Sequence, residues 1–467
     1  MMRATIVLFT AIALSGCSLI FGVDDFTVGD RADGGHMDAA TDAGSPDDAG
    51  PDAARDDAGP DDAGLSDAGP DDAGLSDAGE CMINADCDDG DHCTADRCAV
   101  GMCTSTPDTA CLGAITGGGN FTCAMRAGRV YCWGQASSGQ LGTGTTTDTT
   151  SAALISGLTD VRAIAAGNIH TCAIVGAGAV ECWGHNSSGQ VSAGAAGNQT
   201  TPFEVPGLTD AVQIGLGYRH TCALRADGTV VCWGRNTSGQ LGDRVEAESG
   251  VPLPVPGIAG AVELGVGNDH ACVLLADGSV RCWGARSNGR LGDGGATTGF
   301  SGPSVAVTGI TDGVALAVGE FHSCVLRAGG TMACWGGGGS GALGDDTLAD
   351  SALPTTVLNP TATGPLMGVR QMALGSSHTC VLTTAGEVLC WGSNAYGELT
   401  GTGGADRTRP TAVGAVTGAV FLGMGEDHSC ALIASGRQAV CWGRNRNGQL
   451  GDGSLVDSPT PRAVLGL

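Results

Sequence analysis

From residue 112 to the C-terminus, apolar residues come in short bursts broken by glycine-rich polar stretches. The clearest pair of bursts is His220–Arg225 and Thr229–Trp233. Two-residue alternation puts Cys222, Leu224, Val230 and Cys232 on one face of a hairpin and Ala223, Val231 and Trp233 on the other. Both faces are apolar, which requires a sheet covered on both sides. Val212–Gly217 reads as a strand before this hairpin, and Pro252–Pro256 as an extended piece after it.

The pattern then repeats. Cys-Trp-Gly recurs with its tryptophan at Trp133, Trp183, Trp233, Trp283, Trp335, Trp391 and Trp442, which accounts for all 7 tryptophans of the chain. Seven units of about 50 residues, each with four short strands, predict an all-β protein, a seven-bladed β-propeller over 112–467. The last unit ends in Pro459–Leu467, and the first begins near Leu112 without a preceding outer strand. The C-terminal piece is therefore expected to supply that strand and close the ring.

The hairpins carry a further expectation. If Cys222 faces Cys232, the loop is Ala226-Asp227-Gly228, a three-residue turn with glycine in the left-handed place. The cysteine pair then falls at a non-hydrogen-bonded site, where side chains come closest. A cross-strand disulfide follows for Cys222 with Cys232. The same spacing predicts Cys172 with Cys182, Cys272 with Cys282, Cys324 with Cys334, and Cys380 with Cys390. The pair Cys123 and Cys132 is one residue closer, and Cys430 and Cys441 one residue further apart, so their turns must differ.

Charge changes the picture upstream. The net charge is −27, but residues 24–80 hold 18 acidic residues against Arg31 and Arg55, a local −16. The acidity belongs to a tether and is not a functional field. No basic stripe is present, which excludes a nucleic-acid reader. Residues 1–16 read as a signal peptide, with Arg3 ahead of the apolar run Ala4–Leu14. Leu14-Ser15-Gly16-Cys17 resembles the lipobox of bacterial lipoproteins, which implies diacylglyceryl attachment at Cys17. Residues 17–80 form a lipid-anchored, disordered Asp/Ala/Gly/Pro linker. Residues 81–111, with Cys81, Cys87, Cys93, Cys98, Cys103 and Cys111, read as a small disulfide module of open connectivity. Asn84–Asp91 resembles a calcium loop only loosely, its glycine one place late. No Cys-x-x-Cys knuckle is present, so zinc is not expected.

Candidate chemistry must be weighed against the repeat. His170, His220, His270, His322, His378 and His428 recur beside a cysteine in six units, which points to a repeated hydrogen bond and away from catalysis. Gly336–Gly341 lacks the Gly-Lys-Ser/Thr ending of a phosphate loop. No triad, metal set or cofactor fingerprint stands apart, so no enzyme and no cofactor are expected. A binding site, made once, should lie where the copies disagree. The two residues before each histidine do so, and the candidate rim is Asn168, Tyr218, Arg219, Asn268, Asp269, Glu320, Phe321, Glu426 and Asp427. Tyrosine, arginine and phenylalanine are residue types that anchor interfaces.

Gly-x-x-His-[Ser/Thr/Ala]-Cys-[Ala/Val]-Leu, Gly-x-Val-x-Cys-Trp-Gly and Gly-Gln-Leu-Gly together resemble the regulator of chromosome condensation repeat family. The resemblance implies a seven-bladed propeller. The family's founding activity is guanine-nucleotide exchange, and a bacterial relative inhibits β-lactamases with one propeller face. This chain departs at Phe121 in place of histidine, at Gly336–Gly339, and at Gln190-Val191-Ser192. The expected function is non-enzymatic: a monomeric lipoprotein in the envelope of a Gram-negative bacterium, anchored to the outer membrane or cell surface, displaying a propeller for an envelope or extracellular protein. A secreted enzyme inhibitor is the alternative. Nucleotide exchange is a weaker one, because an exported protein does not meet cytoplasmic GTPases.

Overall fold

The computed structural model describes residues 111–467 except 244, 246 and 400–402. Upstream it describes only the backbone strands Cys17–Ser18, Thr94–Ala99 and Met102–Pro107. The expected signal peptide, and most of the expected linker and cysteine module, lie outside the described residues. Cys111 is disulfide-bonded.

Seven antiparallel sheets surround a channel, each with four strands consecutive in sequence; blade six has a fifth, Cys17–Ser18, paired antiparallel to its inner strand with Cys17 opposite Ala373 and Ser18 opposite Met372. In the third blade these are Ala211–Leu216, His220–Arg225, Val230–Gly234 and Ser249–Pro254, from the inner edge outward. The outer strand begins three residues before the expected Pro252. The hairpin register is the expected one, with Leu224 opposite Val230 and Cys222 opposite Cys232. Gly228 takes φ +77°, the left-handed conformation its turn requires.

All seven expected cysteine pairs are bonded. Five share the ten-residue spacing: Cys172 with Cys182, Cys222 with Cys232, Cys272 with Cys282, Cys324 with Cys334, and Cys380 with Cys390. The other two are Cys123 with Cys132, at a separation of 9, and Cys430 with Cys441, at 11. Their Cα–Cα distances all lie between 4.0 and 4.1 Å. That is the spacing of a narrow, non-hydrogen-bonded pair. The turns absorb the two odd separations. Blade one closes with Ala127 and Gly128, both at positive φ, between the paired Arg126 and Arg129. Blade seven pairs Ile433 with Gln438 and places Ala434, Ser435 and Gly436 at positive φ.

Ring closure differs from expectation. Blade one has its own outer strand, Thr149–Leu154, and Ser458–Ala463 pairs inside blade seven. The C-terminal tail touches blade one only beyond its strand, where Ala152 N–H donates to Leu465 O at 2.9 Å. No strand is exchanged because every blade is complete in itself.

Contacts between blades close the ring instead, and the repeated residues make them. Trp183 Nε1 and Thr171 Oγ1 of blade two both donate to the Gln140 carbonyl in the Gly-Gln-Leu-Gly segment of blade one. Trp133 and Thr122 do the same to Gln449, which joins blade one to blade seven. Because that hydroxyl donates to a carbonyl, it accepts from the preceding blade's imidazole. His170 Nε2 meets Thr221 Oγ1 at 2.8 Å, His322 meets Thr379 at 2.7 Å, and His428 meets Thr122 at 2.7 Å. His378 uses Ser429, which donates to Glu398 O, and His270 meets Ser323 at 3.0 Å.

The exception is His220. Blade four carries Ala271 where the other blades carry threonine or serine, and neither ring nitrogen of His220 has a partner among the described residues. Ala271→Ser should complete this interface. The expected gain is about 1 kcal/mol, read as a higher denaturant midpoint. An unmoved midpoint would show that solvent already satisfies the imidazole.

Candidate functional site

Strand order gives the propeller two distinct faces. The turn from first to second strand and the loop from third to fourth lie on one side of each blade. The hairpin turns and the links between blades lie on the other. The chain enters on the hairpin side, where Leu112 N–H donates to Gly436 O at 2.7 Å. All nine expected rim residues lie in first-to-second turns, and so on the opposite face. Each is half-buried.

These turns also form a continuous backbone ring. Gly119 N–H donates to Asn168 O, Asn168 to Gly217, Tyr218 to Asn268, Asn268 to Glu320, Glu320 to Gly375, Ser376 to Glu426, and Glu426 to Gly118. Seven bonds of 3.1 to 3.4 Å join every blade to the next around the channel mouth. The glycine of Gly-x-x-His is required by this closeness. A Cβ on Gly267 would lie 2.4 Å from Gly319 O, and one on Gly217 would lie 2.4 Å from Gly267 O.

The structure divides the rim into two tiers. Asn168, Asn268, Glu320 and Glu426 line a cavity of ≈ 50 Å³ at the mouth of the channel. Glu320 accepts from Asn168 Nδ2 at 3.3 Å and from Asn268 Nδ2 at 2.9 Å, spanning three blades. Burial pushes its carboxyl up to about 7, helped by the Glu426 charge and opposed by the Asn168 and Ser376 hydrogen bonds. Burial, then Asp427, raises Glu426 as well.

The second tier lies radially outward. Arg219 stacks over Tyr218 at 5.2 Å. Asp269 accepts from Gln240 Nε2 at 2.9 Å. Phe321 lies under the Arg290 guanidinium at 5.2 Å. Asp427 pairs with Arg444 at 2.8 Å. Arg219, Asp269, Phe321 and Asp427 also offer their carbonyls to the residue after Cys-Trp-Gly, for example Arg219 O to Arg235 N–H.

Sequence reasoning missed several members of this face. Arg290 and Glu398 replace the glutamine of Gly-Gln-Leu-Gly, and Tyr396 stands two residues before Glu398. Arg444 and Arg446 both stack on Tyr396, at 5.0 and 5.8 Å. Burial, with weaker repulsion from Asp427 and Asp406, raises Glu398 to about 6. Burial lowers Arg290. The available signal was departure from the repeat at positions 290 and 398. Among the described residues, no group of three or more His, Cys, Asp or Glu is placed to hold a metal ion.

Two profiles, both described as the regulator of chromosome condensation (RCC1) repeat, match this chain. One covers 161–190, 211–240, 261–290, 314–342, 369–398 and 420–449, the other 127–174, 177–224, 227–274 and 330–382. Together they span more than half of the 467 residues. The human E3 ubiquitin-protein ligase HERC2 is 27% identical over 160 residues, 33% of this chain and 3% of that protein. The ultraviolet-B receptor UVR8 of Arabidopsis thaliana is 29% identical over 153 residues, 32% of this chain and 33% of the receptor. The chain thus spans no more than about a third of these relatives. Prp20p from Saccharomyces cerevisiae superposes with a TM-score of 0.64 at 23% identity, over 72% of this chain and 86% of that one. Human WBSCR16 does so at 0.62 and 23%, over 71% and 89%. These likenesses establish the fold.

Proposed function

Because the chain belongs to the regulator of chromosome condensation repeat family, we propose that its propeller is a non-catalytic platform for a protein partner, held at the bacterial envelope by lipid on Cys17. The observation that carries this reading is the convergence of the non-repeating residues on one face, opposite the point where the chain enters the propeller. Tyr218, Phe321 and Tyr396, each with an arginine against its ring, provide rigid amphipathic contact area. Protein partners also suit the fold: Prp20p is described with its binding properties to Gsp1p and histones.

The test is capture of a defined envelope protein by the full chain. Tyr218→Ala and Phe321→Ala should each cost about 2 kcal/mol, roughly thirtyfold in affinity. Val262→Ala on the entry face, where Val262 is 51% exposed, should change nothing. Equal capture by all three variants would reject the rim. Radiolabelled palmitate should enter the wild-type chain and not Cys17→Ala. Label in both would reject the anchor.

A further inference from the structure

We infer that the cavity at the channel mouth receives the primary ammonium group of a lysine side chain projecting from the partner protein. This rests on the rim being the binding face.

Four observations carry it. First, the cavity has a fixed shape. Its walls are backbone at Gly118, Gly217, Gly267 and Gly375, and the ring of backbone hydrogen bonds holds them in place. Leu216, Val266, Val318 and Leu374 supply an apolar floor. A charge entering from outside therefore stops at the level of the carboxylates, with its alkyl stem leaving over the rim.

Second, among the described residues no ion pair is made by the carboxylates at the mouth; Arg290, within Coulombic reach of Glu320, is stacked on Phe321. No arginine or histidine lines the cavity. Glu320 is held by the neutral amides of Asn168 and Asn268. The guanidinium nearest Glu426, that of Arg444, is already paired with Asp427 at 2.8 Å.

Third, a buried acceptor lies beside the wall. Thr122 gives its proton to Gln449 O, so His428 Nε2 donates to Thr122 and Nδ1 carries the lone pair. The ring is 0% exposed and Nδ1 lacks a partner among the described residues. The Cε1–Nδ1 edge abuts wall glycine Gly425, where a Cβ would stand 2.0 Å from Cε1 and 2.4 Å from Nδ1. This partial negative charge beside the wall favours a cation within the cavity.

Fourth, the chain cannot supply the group itself. Its 22 Lys and Arg positions are all arginine, so a lysine must come from another molecule. Size separates the two cations. A cavity of ≈ 50 Å³ suits a compact ammonium with three divergent donors. A planar guanidinium needs a wider fork of acceptors.

The experiment uses the full chain at pH 8, with n-butylammonium as probe. The side-chain amide resonances of Asn168 and Asn268 are followed by NMR. Saturable shifts are expected, and Glu320→Gln and Glu426→Gln should each weaken binding about tenfold. A short lysine peptide should bind as well, and its acetyl-lysine and arginine counterparts at least tenfold more weakly. The absence of a saturable shift, equal binding by the glutamine variants, or equal binding of the arginine peptide would overturn the inference. Tighter binding of free cadaverine than of the lysine peptide would also overturn it, by making a diamine the ligand. The two proposals fail separately. Amine binding with undiminished capture by Tyr218→Ala and Phe321→Ala would remove the rim. Loss of capture in those variants without amine binding would remove the lysine.

Discussion

Between pH 6.5 and about 4 the propeller is expected to lose stability steeply, by up to about four protons' worth per unfolding event. Burial lowers His170, His322 and His428 to about 3 and His220 and His378 to about 4, and holds His270 well below its ordinary value. Unfolded, each would titrate near 6.5. In this window the unfolded chain binds protons that the folded chain refuses, so stability falls as the pH falls. Each such histidine costs about 1.4 kcal/mol per pH unit. Raised carboxyls work in the opposite sense, Glu320 and Glu398 foremost, with Glu426 and Glu181 raised as well. Glu320, raised to about 7, and Glu398, raised to about 6, hold protons in the folded state that the unfolded chain releases above 4.5. Six protons against the two from Glu320 and Glu398 leaves at most roughly four, or about 5 kcal/mol per pH unit near pH 5.5. That is comparable to the whole stability of many domains. The measurement is the denaturant midpoint against pH with the disulfides intact. A midpoint unchanged from pH 7 to 5 would sink the account. His322→Gln, which keeps an N–H near Thr379, should remove about one proton from the slope.

Gly267→Ala should be among the most damaging single-methyl changes in the propeller. Its Cβ would stand 2.4 Å from Gly319 O and 2.4 Å from Cε1 of His270. Relief requires either parting the backbone ring between blades four and five or displacing a buried imidazole. Overpacking of this kind, with a lost hydrogen bond, costs about 3 kcal/mol or more. Gly257 is the control. Its φ is +77°, but a Cβ there meets nothing within 4 Å, so alanine should cost only about 1–2 kcal/mol of left-handed strain. Equal midpoints for the two variants would show that the ring tolerates opening.

Much of the fold was legible because its determinants are local. Cys222 and Cys232 select a register through the length of their turn, and alternation from that register places Leu224, Val230 and Trp233 without knowledge of any other blade. The same counting showed that the pairs ending in Cys132 and Cys441 needed other turns, and both turns do depart from the common one. Ring closure was not legible. An extended piece such as Ser458–Ala463 carries no mark of which sheet edge it will join, and the fourth strands are mostly half-exposed with weak alternation. Expecting exchange was reasonable from the chain ends and wrong in the structure.

The candidate face shows the same division. The candidate rim residues were singled out because they break the repeat, and they share one face because they occupy equivalent turns. Arg290, Tyr396 and Arg444 were not, because the Phe321–Arg290 and Tyr396–Arg444 pairs join neighbouring blades. Glu320 beside Asn168 is a longer case, two residues 152 apart in the chain that meet across the channel. By itself the sequence determined the blade, its staple, its turns and its number, since each depends on neighbours within about 50 residues. The tertiary structure alone decided how the ring closes, which charges share the channel mouth and which face lies opposite the start of blade one. Those follow from bringing seven copies around one axis, where proximity no longer depends on separation along the chain.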